Sequence, residues 1–155
     1  MAEATKDITS VLNSLIETAK DGENGFRTAA DKAKESSLRS LFTKYAAQRT
    51  QYAQELQSAV AQLGATPAES GHALASLHRG WLGLKEALSR DEDKALIEEA
   101  EAGEDAAVKA YKEALAKDLP VELQALVQRQ FTGVQEAHGV IRDLKHGARS
   151  RSTVG

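Results

Sequence analysis

Apolar side chains recur at steps of three and four residues along almost the whole sequence, and no segment shows the alternation of a β-strand. This spacing places the apolar residues on one face of a helix and is typical of an all-α protein. Capping residues, polar breaks and the two prolines then set the boundaries of four long amphipathic helices. The predicted long helices span residues 5–34, 37–63, 91–117 and 120–145.

The connections between these helices predict how they are arranged. A short polar break around Glu35 separates the first two helices, and Pro120 opens the fourth helix soon after the third ends. Connections this short force each pair to lie antiparallel. Gly64 and Pro67 end the second helix, and a shorter amphipathic segment over residues 70–88 follows before the third. We therefore expect two hairpins joined by a short helical crossover, which is the ferritin-like form of the antiparallel four-helix bundle.

Length and local composition predict the domain organisation. A chain of 155 residues fits one domain with one core. We assign residues 1–146 to a single bundle domain. Residues 147–155 are rich in Ser, Gly and Arg and cannot bury a core, so we expect a disordered basic tail or, alternatively, a weak contact with an anion.

Charge and composition narrow the possible partners and sites. The net charge is −3 with both signs interspersed, which does not favour nucleic-acid binding. The sequence has no long apolar run and no secretory signal at its N-terminus, so we expect no membrane association and a cytoplasmic location. There is no cysteine, which leaves nitrogen and oxygen atoms as metal ligands. Motifs of hydrolases, kinases and dehydrogenases are absent, and whether the protein is an enzyme stays open.

Several ionisable residues fall on the buried faces of the predicted helices. Glu23 and Glu104 lie on or beside the apolar stripes of the first and third helices, His138 lies on that of the fourth, and Glu55 adjoins the stripe of the second. A buried carboxylate needs a cation or a hydrogen-bond donor. Carboxylates and an imidazole at mid-bundle would form a ligand set suited to iron, manganese or zinc.

The same residues also fit a structural interpretation. In this alternative, His138 and either Arg49 or Arg129 satisfy the carboxylates in a polar network without a metal. Trp81 has two interpretations as well: it anchors the crossover on the bundle, or it is exposed for a dimer interface or a protein partner. The tyrosines are expected to be core rings whose hydroxyls reach a partner; they are Tyr45, Tyr52 and Tyr111.

The helices and the crossover carry four short motifs: Asp21-Gly22-Glu23-Asn24-Gly25-Phe26, His78-Arg79-Gly80-Trp81, Ala102-Gly103-Glu104-Asp105-Ala106-Ala107 with Tyr111, and Gln130-Phe131 with Val134-Gln135-Glu136-Ala137-His138. Together these motifs resemble an uncharacterised bacterial family of four-helix-bundle proteins with a ferritin-like domain of unknown function. The resemblance covers about residues 5–146. It implies a ferritin-like fold, a cytoplasmic location in bacteria and a link to stress responses.

This resemblance also implies a degenerate form of the di-iron ligand pattern. In di-iron bundles two helices each supply a Glu and the other two each supply Glu-x-x-His. Glu23 and Glu104 match the lone glutamates, whereas the fourth helix has Gln135 three residues before His138, and no histidine follows Glu55 at that spacing. A single-metal site, a weakened dinuclear site or a relic polar network remain as alternatives. The predicted metal ligands are Glu23, Glu55, Glu104, Gln135 and His138.

Two functional hypotheses follow from these observations. The first is a ferritin-like bundle with a degenerate metal site that handles iron or oxidants under stress. The second is a non-enzymatic structural or stress-associated bundle that oligomerises, or that binds a protein partner through the crossover around Trp81. We expect a homo-oligomer.

Overall fold

The computed structural model describes the backbone of residues 2–68 and 80–154 and the side chains of residues 5–68 and 80–147. Over these ranges the chain forms helices and turns but no strand, which confirms the all-α prediction. None of the described helices is both long enough and apolar enough to span a membrane. The helices are α1 (Ala2–Lys32), α2 (Ser36–Gln62), α3 (Leu84–Ser89), α4 (Asp93–Leu115) and α5 (Val121–Val154).

The four long helices form the predicted bundle of two antiparallel hairpins. α1 packs against α2, and α4 packs against α5, while α1 and α4 join the hairpins on one side and α2 and α5 meet less closely on the other. The core of the described residues has one cluster around Phe26, Phe42 and Ile141 and another around Leu12 and Leu56. The bundle also buries polar side chains, among them Glu23, Arg49, Glu104 and Gln130.

The first residue of α4 fixes the turn between α1 and α2. The two carboxylate oxygens of Asp93 accept hydrogen bonds from the backbone amides of Lys34, at 2.7 Å, and Glu35, at 3.0 Å. These amides precede α2 and would otherwise lack an intrahelical acceptor. The starts of α2 and α4 therefore lie at the same end of the bundle, so the two helices run parallel and the crossover returns along the bundle's length.

The crossover is described only from Gly80 onward. Residues 69–79, which include His72 and His78 and most of the predicted amphipathic segment, lie outside the described residues. The described part contains the short helix α3 and is fixed by Trp81, whose side chain is 2% exposed. This burial agrees with Trp81 as an anchor and removes its side chain from contact with a partner; Leu82 beside it is exposed.

The C-terminal helix is longer than predicted. α5 was expected to end near Lys145, with a disordered tail over residues 147–155, but its backbone is helical to Val154. No proline follows Pro120, and an isolated glycine such as Gly147 weakens a helix without necessarily ending it, so the helix can continue past Lys145. The division of the chain near residue 146 stays a prediction.

Candidate functional site

A buried ion pair between α2 and α4 lies at the centre of the bundle. Nη1 and Nη2 of Arg49 each donate to one carboxylate oxygen of Glu104 at 2.7 Å, and the two side chains are 2% and 0% exposed. Nε of Arg49 donates to Oε1 of Gln48 at 3.1 Å. Paired, parallel hydrogen bonds of this kind are the strongest geometry for guanidinium and carboxylate. Both oxygens of Glu104 are thus bound to a cation of the protein itself.

The surroundings of Arg49 keep its guanidinium charged and leave little space around it. Burial by itself disfavours the charge, but the Glu104 carboxylate holds the pKa of Arg49 above its usual value. The guanidinium carbon lies 5.5 Å from the ring centroid of Phe26, within range of a cation–π contact. On α1, Gly22 leaves room for this group, because a Cβ there would lie 3.3 Å from Nη1.

Trp81 closes the bundle beside this ion pair. Its indole lies between Gly25 of α1 and Gly103 of α4, and a Cβ at either glycine would collide with the ring. The indole also meets Phe26 edge-on, with ring centroids 5.0 Å apart. Gly80 has a φ of +100° and packs against the backbone of α4, a conformation and a proximity that require glycine. The crossover therefore fills the gap between α1 and α4 next to Glu104.

A second polar group joins α2, α4 and α5. Gln130 is fully buried; its Oε1 accepts from the Tyr111 hydroxyl at 2.7 Å, and its Nε2 donates to Glu55 at 2.9 Å. Arg129 donates to the other oxygen of Glu55 at 3.1 Å. Burial raises the pKa of Tyr111, so its hydroxyl stays protonated and acts as the donor. This hydroxyl reaches a partner, as predicted for the core tyrosines.

The remaining predicted ligands are Glu23, His138 and Gln135. The contacts described for them do not involve Glu104 or Glu55. Glu23 is buried on α1 and pairs within its own helix with Arg27, at 3.0 Å, and Lys20, at 3.6 Å. His138 is half-buried, with Nε2 2.6 Å from a carboxylate oxygen of Asp105. Gln135 is exposed.

These contacts decide how well the centre fits a metal. Among the side chains that the structure describes, no three His, Asp or Glu residues are grouped so as to hold a metal ion. The carboxylate at the centre, Glu104, already binds a fixed guanidinium, so the residues there do not fit the iron, manganese or zinc of a ferritin-like site. The two arginines that the structural alternative named each bind one of these carboxylates, Arg49 with Glu104 and Arg129 with Glu55. His138, which the same alternative also named, pairs with Asp105 instead. The five-residue ligand set itself stays a prediction.

Four residues that make these contacts were given no such role from the sequence. Gln130 was placed on a core stripe without a role, and Asp105 was not considered as a partner of His138. Gly25 and Gly103 carried a usable signal, because glycine inside a helix is unfavourable and often marks close packing. That signal does not reveal which ring fills the space.

Comparisons with known proteins give a family and a fold. A family profile described as a domain of unknown function (DUF2383) matches residues 7–117. No curated protein matches the chain. Among solved structures, a mutant of Mycobacterium smegmatis Dps1 is similar, with a TM-score of 0.76 over 94% of this chain and 99% of that chain. The two sequences are 13% identical, so the likeness bears on the fold alone, and it confirms a ferritin-like four-helix bundle.

Proposed function

The chain belongs to the DUF2383 family, whose function is unknown, and we propose that it is a non-enzymatic bundle that assembles with copies of itself. The buried pair of Arg49 and Glu104 carries this proposal. It supplies from within the chain the cation that a buried carboxylate requires. The pair also connects α2 to α4, as Arg129 and Glu55 connect α2 to α5, which is a structural role.

Iron or oxidant handling under stress is the alternative that the sequence suggests. It would require Glu104 to leave Arg49, since both carboxylate oxygens are engaged. Removing one partner of a buried ion pair leaves the other charge buried and unpaired, which costs about 3 to 5 kcal/mol. The geometry therefore favours the structural role over the metal site. The proposed location is the bacterial cytoplasm, as the sequence suggests.

A groove between α2 and α5 supports self-association. It has a volume of about 680 Å³ and lies at the end of the bundle where α2 and α4 begin, beside the later part of α5. Apolar residues line it, and two of them, Val140 and Leu144, are exposed; the others include Leu41 and Ile97. The lining also includes Lys94 and three carboxylates, those of Glu35, Asp93 and Asp143. A second copy, related by a two-fold axis, would bring its own apolar residues to this groove and its Lys94 toward these carboxylates.

Elemental analysis and mass measurement test the proposal together. Protein purified without chelators, and again after anaerobic loading with ferrous ion, is expected to hold less than stoichiometric iron, manganese and zinc. Light scattering should show a homo-oligomer whose mass and melting temperature do not change with a chelator, because the ion pairs are internal.

Glu104→Ala is the control for the metal measurement. Stoichiometric metal in the wild type that disappears in this variant would support the metal-handling alternative and contradict the structural role. A strictly monomeric protein at high concentration would contradict assembly. The two measurements thus separate the two halves of the proposal.

A further inference from the structure

We infer that the centre of the bundle is a binding site for a guanidinium group, which the protein fills with its own Arg49. Three features surround this group: the bidentate carboxylate of Glu104, the ring face of Phe26 and the side-chain carbonyl of Gln48. Each contacts a different part of the planar cation. The site does not depend on whether the protein assembles, so it goes beyond the proposed function.

The contacts select a planar organic cation over a metal ion. The fork of two N–H groups matches the two oxygens of Glu104, each at 2.7 Å. A ring face such as that of Phe26 attracts a weakly hydrated guanidinium. Divalent ions instead need several oxygen or nitrogen ligands. The described contacts of Arg49 give one carboxylate, one amide oxygen and a ring, which is too few.

The shape of the site also fits a flat group held without water. The Arg49 side chain packs closely on Gly22 of α1, since a Cβ there would lie 3.3 Å from Nη1 and 3.4 Å from Cγ. Trp81 fills the adjoining gap between α1 and α4. Removal of the Arg49 side chain would leave a slot of this shape beside a buried carboxylate. An unpaired carboxylate in such a place strongly favours a cation that fits.

Chemical rescue tests this inference directly. In Arg49→Ala, methylguanidinium chloride at millimolar concentration is expected to raise the melting temperature with single-site saturation, and calorimetry should give one bound cation per chain. These concentrations lie far below the molar range in which guanidinium denatures proteins. Wild type should not be stabilised, because Arg49 fills the site. Ammonium, manganese, zinc and anaerobic ferrous ions, each at matched ionic strength, should not restore Arg49→Ala.

Two control variants locate the effect. Arg129→Ala removes an arginine from an exposed pair with Glu55 and should gain nothing from methylguanidinium. Adding Glu104→Gln to Arg49→Ala removes the carboxylate and should abolish the rescue.

A folding measurement keeps the test decisive if Arg49→Ala does not fold alone. Refolding of Arg49→Ala from urea, followed by circular dichroism, should then succeed with methylguanidinium and fail with ammonium. Equal or better rescue by a divalent metal or by ammonium would overturn the inference, as would no gain from methylguanidinium in either measurement. A monomeric wild type would refute assembly and leave this result unaffected.

Discussion

At the scale of single residues, Arg49 and Glu104 show how a buried ion pair stabilises this bundle. Arg49→Met or Glu104→Leu alone leaves an unpaired buried charge, so each is expected to lower the free energy of unfolding by about 3 to 5 kcal/mol. The double substitution removes both charges, so it should lower the free energy of unfolding by much less than the sum of the two single effects. Urea unfolding of the four proteins measures the coupling.

Arg129→Met is the matched control for this cycle. Arg129 also pairs with a glutamate, Glu55, but its side chain is 56% exposed. Its loss should therefore change the stability by less than about 1 kcal/mol. Additive effects of Arg49→Met and Glu104→Leu would contradict a strong buried pair.

Glu99 gives a prediction about pH. Its carboxylate accepts a hydrogen bond from the Gly83 amide at 3.0 Å, and burial raises the pKa of Glu99 above its ordinary 4.5. The folded protein then holds this proton more tightly than the unfolded chain. The contribution of Glu99 to stability is therefore greatest below the ordinary pKa and is lost as the pH rises through the raised pKa.

Glu99→Gln keeps an acceptor for Gly83 without the charge. The stability of this variant relative to wild type is expected to increase as the pH rises from about 4 to 7. Thermal unfolding across this range checks the sign, with Glu98→Gln on the same helix as the control. A relative stability that falls with rising pH would contradict the raised pKa.

The sequence predicted which residues are buried better than it predicted their partners. Periodicity placed Glu104 in the core because it specifies one face of a helix. The partner comes from another helix, and the packing register that brings Arg49 to Glu104, or Asp105 to His138, is set by the whole core. Arg49 and Arg129 could be proposed because few cations lie near a core stripe, but the geometry of either pair could not.

At the scale of elements, two helical glycines are expected to respond oppositely to alanine. A Cβ at Gly103 would collide with the Trp81 ring, so Gly103→Ala should lower the free energy of unfolding by about 1 to 3 kcal/mol despite its better helix propensity. A Cβ at Gly139 on α5 would meet nothing within 4 Å. Gly139→Ala should therefore raise the free energy of unfolding by about 0.5 to 1 kcal/mol.

Urea unfolding of the two alanine variants checks these signs. Gly139→Ala serves as the control for helix propensity, since it makes the same change without a new contact. A stabilised Gly103→Ala would show that Trp81 does not fill the gap between α1 and α4.

Helix boundaries were predictable where local chemistry sets them. The polar break at Glu35 and the proline at Pro120 each mark a real end, and the structure places helix boundaries within one turn of them. The end of α5 was predicted too early, near Lys145, because a Ser- and Arg-rich segment is compatible with both helix and coil. The fixed position of the crossover depends on Trp81 meeting two distant glycines, a contact that no local pattern contains.

At the scale of the whole molecule, the arrangement of two hairpins followed from connection lengths. Short connections between α1 and α2, and between α4 and α5, leave one antiparallel solution, and the long crossover makes α2 and α4 parallel. The metal hypothesis gained no support for a reason that concerns the core and not the connections. It relied on carboxylates facing inward, and an inward carboxylate in a bundle can bind an arginine as well as a metal.

The groove between α2 and α5 leads to the last prediction, which concerns assembly. Leu144→Glu places a charge among the apolar residues of the groove where a second copy is proposed to pack, so the homo-oligomer should dissociate at concentrations at which wild type stays assembled. Leu144 is 36% exposed, and the change should therefore leave the monomer folded. Light scattering measures the mass, and circular dichroism checks the fold.

Val121→Glu provides the matched control for this experiment. Val121 is 85% exposed at the start of α5, far along the helix from the groove, so the same change of residue type should leave the mass of the oligomer unaltered. If Leu144→Glu and Val121→Glu have the same mass as wild type, the copies associate through another surface. Dissociation by Leu144→Glu alone would place the contact at this groove, because only there does the added carboxylate enter an apolar interface.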